Sequence, residues 1–598
     1  MTFPLRTAGT RVLAAVFLAL LLPVYWIAFH APAVGIYHDD GIYLVTAKAL
    51  AEGKGYRIVS LPGDPPQTKY PILFPAVLSA AWRIFPAFPD NALFLKAIPL
   101  LSAILWLLLS FRLVRDETGD RDVALWVVLL SAASSWVVFF STTFMSETLF
   151  ACLASGALIC FRKLEEEGSG DKVGLPLLVF TALVAASFLT RTVGAPLVAA
   201  GAVALLLRRK YVSCAAFLAG FAVLAAPWFW WQSAHGDSAR AAESYYTFSN
   251  YRGWNVLFNF PVEQKIRILA TNILRLLVSP VLLLNTKGGT ANGILAILVS
   301  ILTTFGLVRD MSRNIRLLHL FVVFYFATII LWAWPPDRFV VPMVPFLLMF
   351  AHKELSWIFG KIFSSGKLRD YALMVPVAFL AVPLIFHLYL VTKVTERNNA
   401  ASFSFVHSIY GQDRWDDTMD LLDWIRGHTP REAVVMGNLD PTIHLYTGRK
   451  AVRSFADDPY LLFFTRNFED AMGEETDLAK RIVFNRVDYV VRTPSYFYKE
   501  GPIFNRILDR FVASHPDAFR LVKEGSDPSY KVFEVDREKL QRALRVSGLS
   551  RPAARGPARN FSDRSLVTYR PTVRRPPGPP ASRSSSSSLR SAAAIPTR

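Results

Sequence analysis

Residues 12–40 read VLAAVFLALLLPVYWIAFHAPAVGIYHDD. The run from Val12 to Phe29 is almost unbroken in its apolarity, and the stretch closes on two adjacent acids, Asp39 and Asp40. At about 1.5 Å of rise per residue, such a run comes close to spanning a hydrocarbon layer ~30 Å thick. Ala31-Pro32-Ala33 loosely resembles a signal-peptide cleavage site. The run is long for a signal, however, and many comparable runs follow, so it reads as a retained helix. The two acids then stand where the chain leaves the membrane.

Further apolar runs fall near 91–111, 122–143, 147–161, 173–190, 193–207, 212–232, 290–308, 317–334, 339–352 and 371–392. With 11–30 they make about eleven transmembrane helices in a chain whose residues are 53% hydrophobic, so the fold class is a polytopic α-helical membrane protein. Cations set the topology. Arg6 and Arg11 precede the first span, Arg112, Arg115 and Arg121 follow the second, and Arg162, Lys163 and Lys172 follow the fourth. Arg208, Arg209 and Lys210 follow the sixth, Arg309, Arg313 and Arg316 the eighth, and Lys353, Lys361, Lys367 and Arg369 the tenth. Every second loop is basic and is assigned to the cytoplasm, which puts Asp39 and Asp40 outside. One stretch, ILATNILRLLVSPVLLL (268–284), carries Arg275 and Pro280. As a span it would reverse the Arg309–Arg316 cluster, so it is expected to be an interfacial or re-entrant helix on the outer face.

The net charge of +19 resembles a nucleic-acid signal until it is located. The tail 546–598 holds ten Arg and one Asp, and many of the other cations lie in short loops between apolar runs. Nucleic acid is therefore not an expected partner. Cys152, Cys160 and Cys214 all fall inside apolar runs and form neither a disulfide framework nor a metal-binding CxxC.

After the last span the chain becomes mixed and polar. TMDLLDWIRGHTP (418–430) has helical spacing, EAVVMGN (432–438) is a short β-branched run, and DPTIHLYTGR (440–449) reads as a helix closed by Gly448. VDYVVRT (487–493) is a second strand, and RLVKEGSDPSYKVFEV (520–535) reads as a hairpin. The organisation expected is a membrane domain over 1–397, with a structured first outer loop at 31–90. An extracytoplasmic α/β domain follows over 398–545, then a disordered basic tail over 546–598.

Asp39 and Asp40 admit two readings. They are N-terminal helix residues before GIYLVTAKALAEG, or one of them is a catalytic base at the membrane surface. The loop after them is elaborate for a connector: a helix stopped by Gly53 and Gly55, a Pro-rich crossing, then a second amphipathic helix. Lys69, Arg191 and Arg338 fall on the outer side against the positive-inside bias. Their partner is either a carboxylate, with Glu147 and Asp337 near in depth, or a lipid phosphate. PWFWWQ (227–232) and YYTFSNYRGW (245–254) crowd the same side; the first suits an interfacial belt, and the second, with Tyr245 and Tyr246, could also line a sugar subsite.

The order HDDGIYLVTAKALAEGKGY, KYPILFPAVL, MSETLF, LTRTVGAP, DRFVVPMVPFLL and WIRGHTPREAVVMGNLDPTIHLYTGRKAV resembles the GT-C glycosyltransferases. The nearest group is the bacterial relatives of dolichyl-phosphate-mannose-protein mannosyltransferases and of the aminoarabinose transferase that modifies lipid A. The resemblance covers roughly residues 10–540. It implies an enzyme of the cell membrane that takes a sugar from a polyprenyl-phosphate donor and passes it to a lipid, glycan or protein acceptor. It puts the base on Asp39 or Asp40, the donor-phosphate cations on Lys69 and Arg338 with Arg191 in addition, and a second outer acid on Glu147. Tyr43, Tyr70, Tyr245 and Tyr246 are the candidate sugar or acceptor contacts.

A phosphate leaving group needs no strong acid, so one carboxylate base suffices and direct displacement would invert the anomeric centre. A divalent cation is an open alternative, since His38 adjoins Asp39 and Asp40, although adjacent residues seldom converge on one ion. No P-loop, Rossmann glycine pattern or HExxH occurs in the sequence, which leaves nucleotide-sugar use unsupported. Two other classes compete: a transporter or flippase of lipid-linked saccharides, which should carry ionisable groups at mid-span and related halves, and a non-catalytic envelope-assembly protein.

Overall fold

The apolar runs become helices because backbone polar groups that leave water must be satisfied within the segment. The computed structural model describes residues 8–31, 34–35, 38–166, 171–241, 261–284, 290–332, 334–363, 415–454, 461–465, 475–494 and 501–546. The helical layer consists of α1 (Ala8–His30), α2 (Asp39–Ala51), α3 (Leu73–Ile84), α4 (Ala92–Thr118), α5 (Arg121–Ala132), α6 (Ser135–Thr142) and α7 (Glu147–Glu166). It continues through α8 (Leu175–Thr190), α9 (Ala195–Leu207), α10 (Tyr211–Ala241), α11 (Val262–Leu284), α12 (Thr290–Arg313), α13 (Leu317–Ile330) and α14 (Val344–Ile362).

Ten of the eleven expected spans lie on these helices; the eleventh, 371–392, lies outside the described residues. Length and composition separate them; α7, at 20 residues, is long enough but too charged. Among the described residues, five helices are long and apolar enough to cross a membrane, or six when α5 and α6 are taken as one span bent by 67°. A helix of 14 residues such as α13 reaches only about 21 Å, so α8, α9 and α13 fall short of a full crossing on their own. The expected span 339–352 begins as a 3-10 turn, Asp337–Met343, and becomes α-helical only at Val344. Such 3-10 starts are frequent at helix N-termini, and Pro345 falls in the first α-helical turn, where its missing N–H costs no helical bond. The stretch expected at the interface, 268–284, belongs to α11, which is 23 residues long and is not one of those five.

The basic loops meet at one end of the bundle. Glu117 pairs there with Arg162 and Arg316, Asp310 with His319 and Lys353, Glu354 with Arg309, and Glu165 with Arg208. Helices α12 and α14 reach this end in backbone contact: a Cβ on Gly306 would lie 2.0 Å from the Phe350 carbonyl oxygen. Gly306→Ala should therefore force the pair apart, costing about 1–3 kcal/mol. Gly293→Ala, in open space on the same helix, should instead gain about 0.5–1 kcal/mol. Thermal midpoints of the detergent-solubilised proteins would move in opposite directions.

The C-terminal residues fold as α15 (Trp415–His428), β1 (Val434–Met436), α16 (Asp440–Thr447), β2 (Lys450–Val452), α17 (Glu475–Phe484), β3 (Tyr489–Arg492), α18 (Gly501–Ser514), β4 (Phe519–Glu524), β5 (Lys531–Val535) and α19 (Arg537–Val546). They form one sheet in the order β2-β1-β3-β5-β4. β1 runs parallel to β2 and β3, as the intervening helices require, while β5 is antiparallel to β3 and β4. Gly448, at φ 75°, ends α16 where the sequence placed the stop.

The sheet packs against the first loop. Ala451 N donates to Ser60 O at 2.8 Å beside the outer edge of β2, and Lys450 Nζ reaches Val59 O at 2.8 Å and the Asp64 carboxylate. The Phe88 and Tyr446 rings meet edge to face at 5.0 Å. The described residues fall within one compact unit.

Candidate active site

Asp39 and Asp40 open α2, where the free N–H groups of a first helical turn favour negative charge. Both are buried, and they face different partners. Asp39 Oδ1 accepts from the Tyr70 hydroxyl, and its Oδ2 lies 2.8 Å from Arg338 Nη1. Asp40 Oδ2 accepts from Gly35 N at 2.8 Å. Asp40 also acts electrostatically on Lys96, a cation within α4 whose ammonium donates to the carbonyls of Ala31 and, at 3.3 Å, Phe29. Lys96 thus neutralises the carbonyl end of α1.

Lys69 completes the group around Asp39. Its Nζ lies 4.7 Å from the Tyr70 ring centroid, and its charge acts on the Asp39 carboxylate. Burial alone would raise the Asp39 carboxyl, but Arg338, Lys69 and the Tyr70 hydroxyl together hold it well below the usual carboxylate range. The segment carrying Lys69 is gripped from α10: Trp231 Nε1 donates to Gln67 O and Gln232 Nε2 to Thr68 O, each at 2.9 Å. The WFWWQ stretch is therefore only partly an interfacial belt. Trp230 is exposed, whereas Trp228 is buried against Tyr56.

A second buried group adjoins the first. Arg191 Nη1 lies 2.8 Å from Glu147 Oε1 and donates to Ser146 Oγ at 3.0 Å. Ser146 Oγ in turn lies 3.0 Å from the Tyr43 hydroxyl, whose ring packs 5.0 Å from that of Tyr70. Arg191 and Arg338 both lie over the Phe339 ring, at 5.4 Å and 5.3 Å, and Tyr325 fixes that turn by donating to Phe339 O at 2.8 Å. The Arg191 charge is met by Glu147 and the Arg338 charge by Asp39 rather than by its neighbour Asp337. Asp337 instead interacts with Arg275.

The structure thus brings together Asp39, Lys69, Arg338, Tyr43, Tyr70, Glu147 and Arg191, and turns Asp40 toward Gly35 and Lys96. Tyr245 and Tyr246, with the rest of 245–254, lie outside the described residues. A divalent cation does not fit the acids: Asp39 is engaged by cations, Asp40 by Gly35 N, and His38 Nε2 by Asp440 Oδ1 at 3.1 Å. Among the described residues no three His, Cys, Asp or Glu side chains converge. Burial, with help from Arg453, pushes the His38 imidazole below its ordinary value against the opposing pull of Asp440.

Sequence reasoning missed Lys96, Ser146 and Asp440. A lysine inside an apolar run was a readable flag. Asp440 looked like an ordinary acid at a helix start followed by proline, and nothing local shows that it is fully buried.

No protein-family model matches the sequence, and a search of curated proteins gives no match. Solved structures do match. ArnT from Cupriavidus metallidurans bound to undecaprenyl phosphate superposes with a TM-score of 0.50 at 14% identity, over 91% of this chain and 100% of that one. The Archaeoglobus fulgidus oligosaccharyltransferase, in complex with Zn and sulfate, superposes with a TM-score of 0.50 at 15% identity, over 79% of this chain and 67% of that one. At such identities the likeness is one of fold.

Proposed function

We propose that this protein, which has the polytopic GT-C fold of those structures, transfers a sugar from a polyprenyl-phosphate carrier to an acceptor hydroxyl. The reaction would take place on the non-cytoplasmic side of the membrane, with inversion. The observation that carries the reading is one buried carboxylate, Asp39, held between Arg338, Lys69 and the Tyr70 hydroxyl at an end of the helical layer. The alternation of basic loops supports the side. ArnT, a structure of the same fold, was solved with undecaprenyl phosphate, which supports the carrier class.

The cations and the carboxylate have linked roles. Arg338 and Lys69 suppress the basicity of Asp39. A donor phosphate arriving at the two cations competes for them, so Asp39 becomes the stronger base as the donor binds. Asp39 then removes the acceptor hydroxyl proton, and the acceptor oxygen bonds to the anomeric carbon. The carbon–oxygen bond to phosphate breaks, and its electron pair leaves on the polyprenyl phosphate, whose added charge Arg338 and Lys69 stabilise. Asp40 fits a structural role, because its partners are Gly35 N and Lys96. Arg191, already matched to Glu147, fits a wall of the site better than a phosphate clamp.

The test is to give membranes containing the protein a panel of undecaprenyl-phosphate hexoses and pentoses labelled in the sugar. Transfer releases label from the carrier into an acceptor fraction. Label that stays on the carrier and only changes leaflet would instead establish a flippase, and label that does neither with any donor would leave an assembly role.

A further inference from the structure

The turn that presents the two acids is held from the C-terminal sheet domain, 400 residues away in sequence. His38 precedes Asp39 with φ 62° and ψ −51°, the region of a γ-turn that residues with a Cβ rarely occupy. No side-chain cap bond accompanies it. Its ring is buried and Nε2 lies 3.1 Å from Asp440 Oδ1 at the start of α16. Asp440 is itself fully buried, with Arg453 Nε 3.9 Å from the same oxygen, and its Oδ2 accepts no hydrogen bond among the described residues. Apart from its charge contact with Arg453, the side-chain bond to His38 is what this acid offers.

The neighbouring residues fit the same turn. Thr442 Oγ1 donates to Val34 O at 2.9 Å. A Cβ on Gly35, which sits at φ 77°, would lie 1.9 Å from Thr442 Oγ1, and one on Gly41 would lie 2.8 Å from Pro441 Cβ. Gly35 N is the donor to Asp40. The first residues of α16 therefore fill a notch between the loop and the start of α2.

We propose that Asp440 is a positioning residue: by holding His38 in its strained turn it sets the direction of Asp39 toward Tyr70 and Arg338. The sheet domain is on this view part of the catalytic apparatus. The inference rests on Asp39 being the base, as proposed above.

The experiment uses the full-length protein in membranes, with a radiolabelled undecaprenyl-phosphate sugar on which the wild type turns over. Asp440→Ala should lower kcat about 10–100-fold, the scale on which small misplacements of catalytic groups act. Affinity for undecaprenyl phosphate itself should stay within about twofold, because the cations are untouched. Asp440→Asn keeps an acceptor oxygen for His38 and should restore most of the loss. Glycine occupies positive φ without strain, so His38→Gly combined with Asp440→Ala should come within about threefold of His38→Gly alone.

Wild-type turnover in Asp440→Ala would overturn the proposal. So would an Asp440→Ala loss that persists at full size in the His38→Gly background, or one that tracks a fall in thermal midpoint across all the variants. Asp39→Asn serves as the reference: if it still transfers, the functional reading itself has failed, whereas an inactive Asp39→Asn beside an unaffected Asp440→Ala removes only the positioning role.

Discussion

Asp39→Asn is expected to reduce sugar transfer on the order of 10²–10⁴-fold, the contribution of a general base, while the protein still assembles in the membrane. Asparagine keeps the shape and an oxygen for the Tyr70 hydroxyl but cannot take a proton. Two cations would then face a neutral group in a buried site, so Arg338 and Lys69 become more available to an anion. Affinity for undecaprenyl phosphate should accordingly stay the same or tighten while kcat collapses, a split that separates a lost base from a lost binding site. Asp40→Asn is the control. It retains an acceptor for Gly35 N, so its rate should fall about tenfold at most. Its cost should show in the thermal midpoint, because Lys96 loses the acid it interacts with. Equal and severe loss in both variants would mean that the two acids act as a unit, against the division of roles drawn above.

The second large effect is expected at Arg338. Arg338→Gln should lower kcat by about 10²–10³-fold, the scale of removing one fixed donor from a developing oxyanion. Arg338→Lys should fall between, since lysine supplies the charge without the planar fork. The pH profile carries a further signature. The Asp39 carboxyl is depressed because Arg338, Lys69 and the Tyr70 bond outweigh burial. With Arg338 gone, burial is less opposed and the carboxyl titrates at higher pH. The base is active only when ionised, so the acidic limb of the kcat/KM profile should move upward in Arg338→Gln and in Lys69→Ala, and downward in neither. An unmoved limb in both variants would show that some other group titrates in that limb.

Much of this was legible before the fold was known, and the reason is specific. Apolar runs, alternating cations and a Gly after a helical stretch are local signals, so the helices under ten expected spans, though not their crossing lengths, α16 with its Gly448 stop, and the β4–β5 hairpin could be read directly. The grouping of Asp39, Lys69 and Arg338 was accessible because outer-side cations run against the positive-inside bias and because the order of motifs resembles the GT-C glycosyltransferases. Pairing was not accessible. Depth alone offered Glu147 as one of two acids for Arg191 without choosing between them, and that Asp440 meets His38 across 402 positions depends on how the elements pack, which no period in the sequence encodes. β2, Lys450–Val452, was missed because it follows closely on the Gly448 stop and carries a single β-branched residue, whereas β1, of the same length, has Val434 and Val435 side by side. Two expected spans began too early for a related reason: apolar residues start before the α-helix does, so 193–207 and 339–352 each open in a 3-10 turn, Thr192–Gly194 and Asp337–Met343, and 317–334 ran four residues past the end of α13 at Ile330.

The hydrogen bond from Ala451 to Ser60 has a consequence for recombining such proteins. Among the described residues, the outer edge of β2 meets the segment near Ser60 rather than another strand of its own sheet. Bare strand edges invite foreign partners. A chimaera that exchanges only the C-terminal half would bring that edge to a mismatched lid, so the module to transplant is 415–546 together with 31–90, two pieces far apart in the gene that fold as one inheritance.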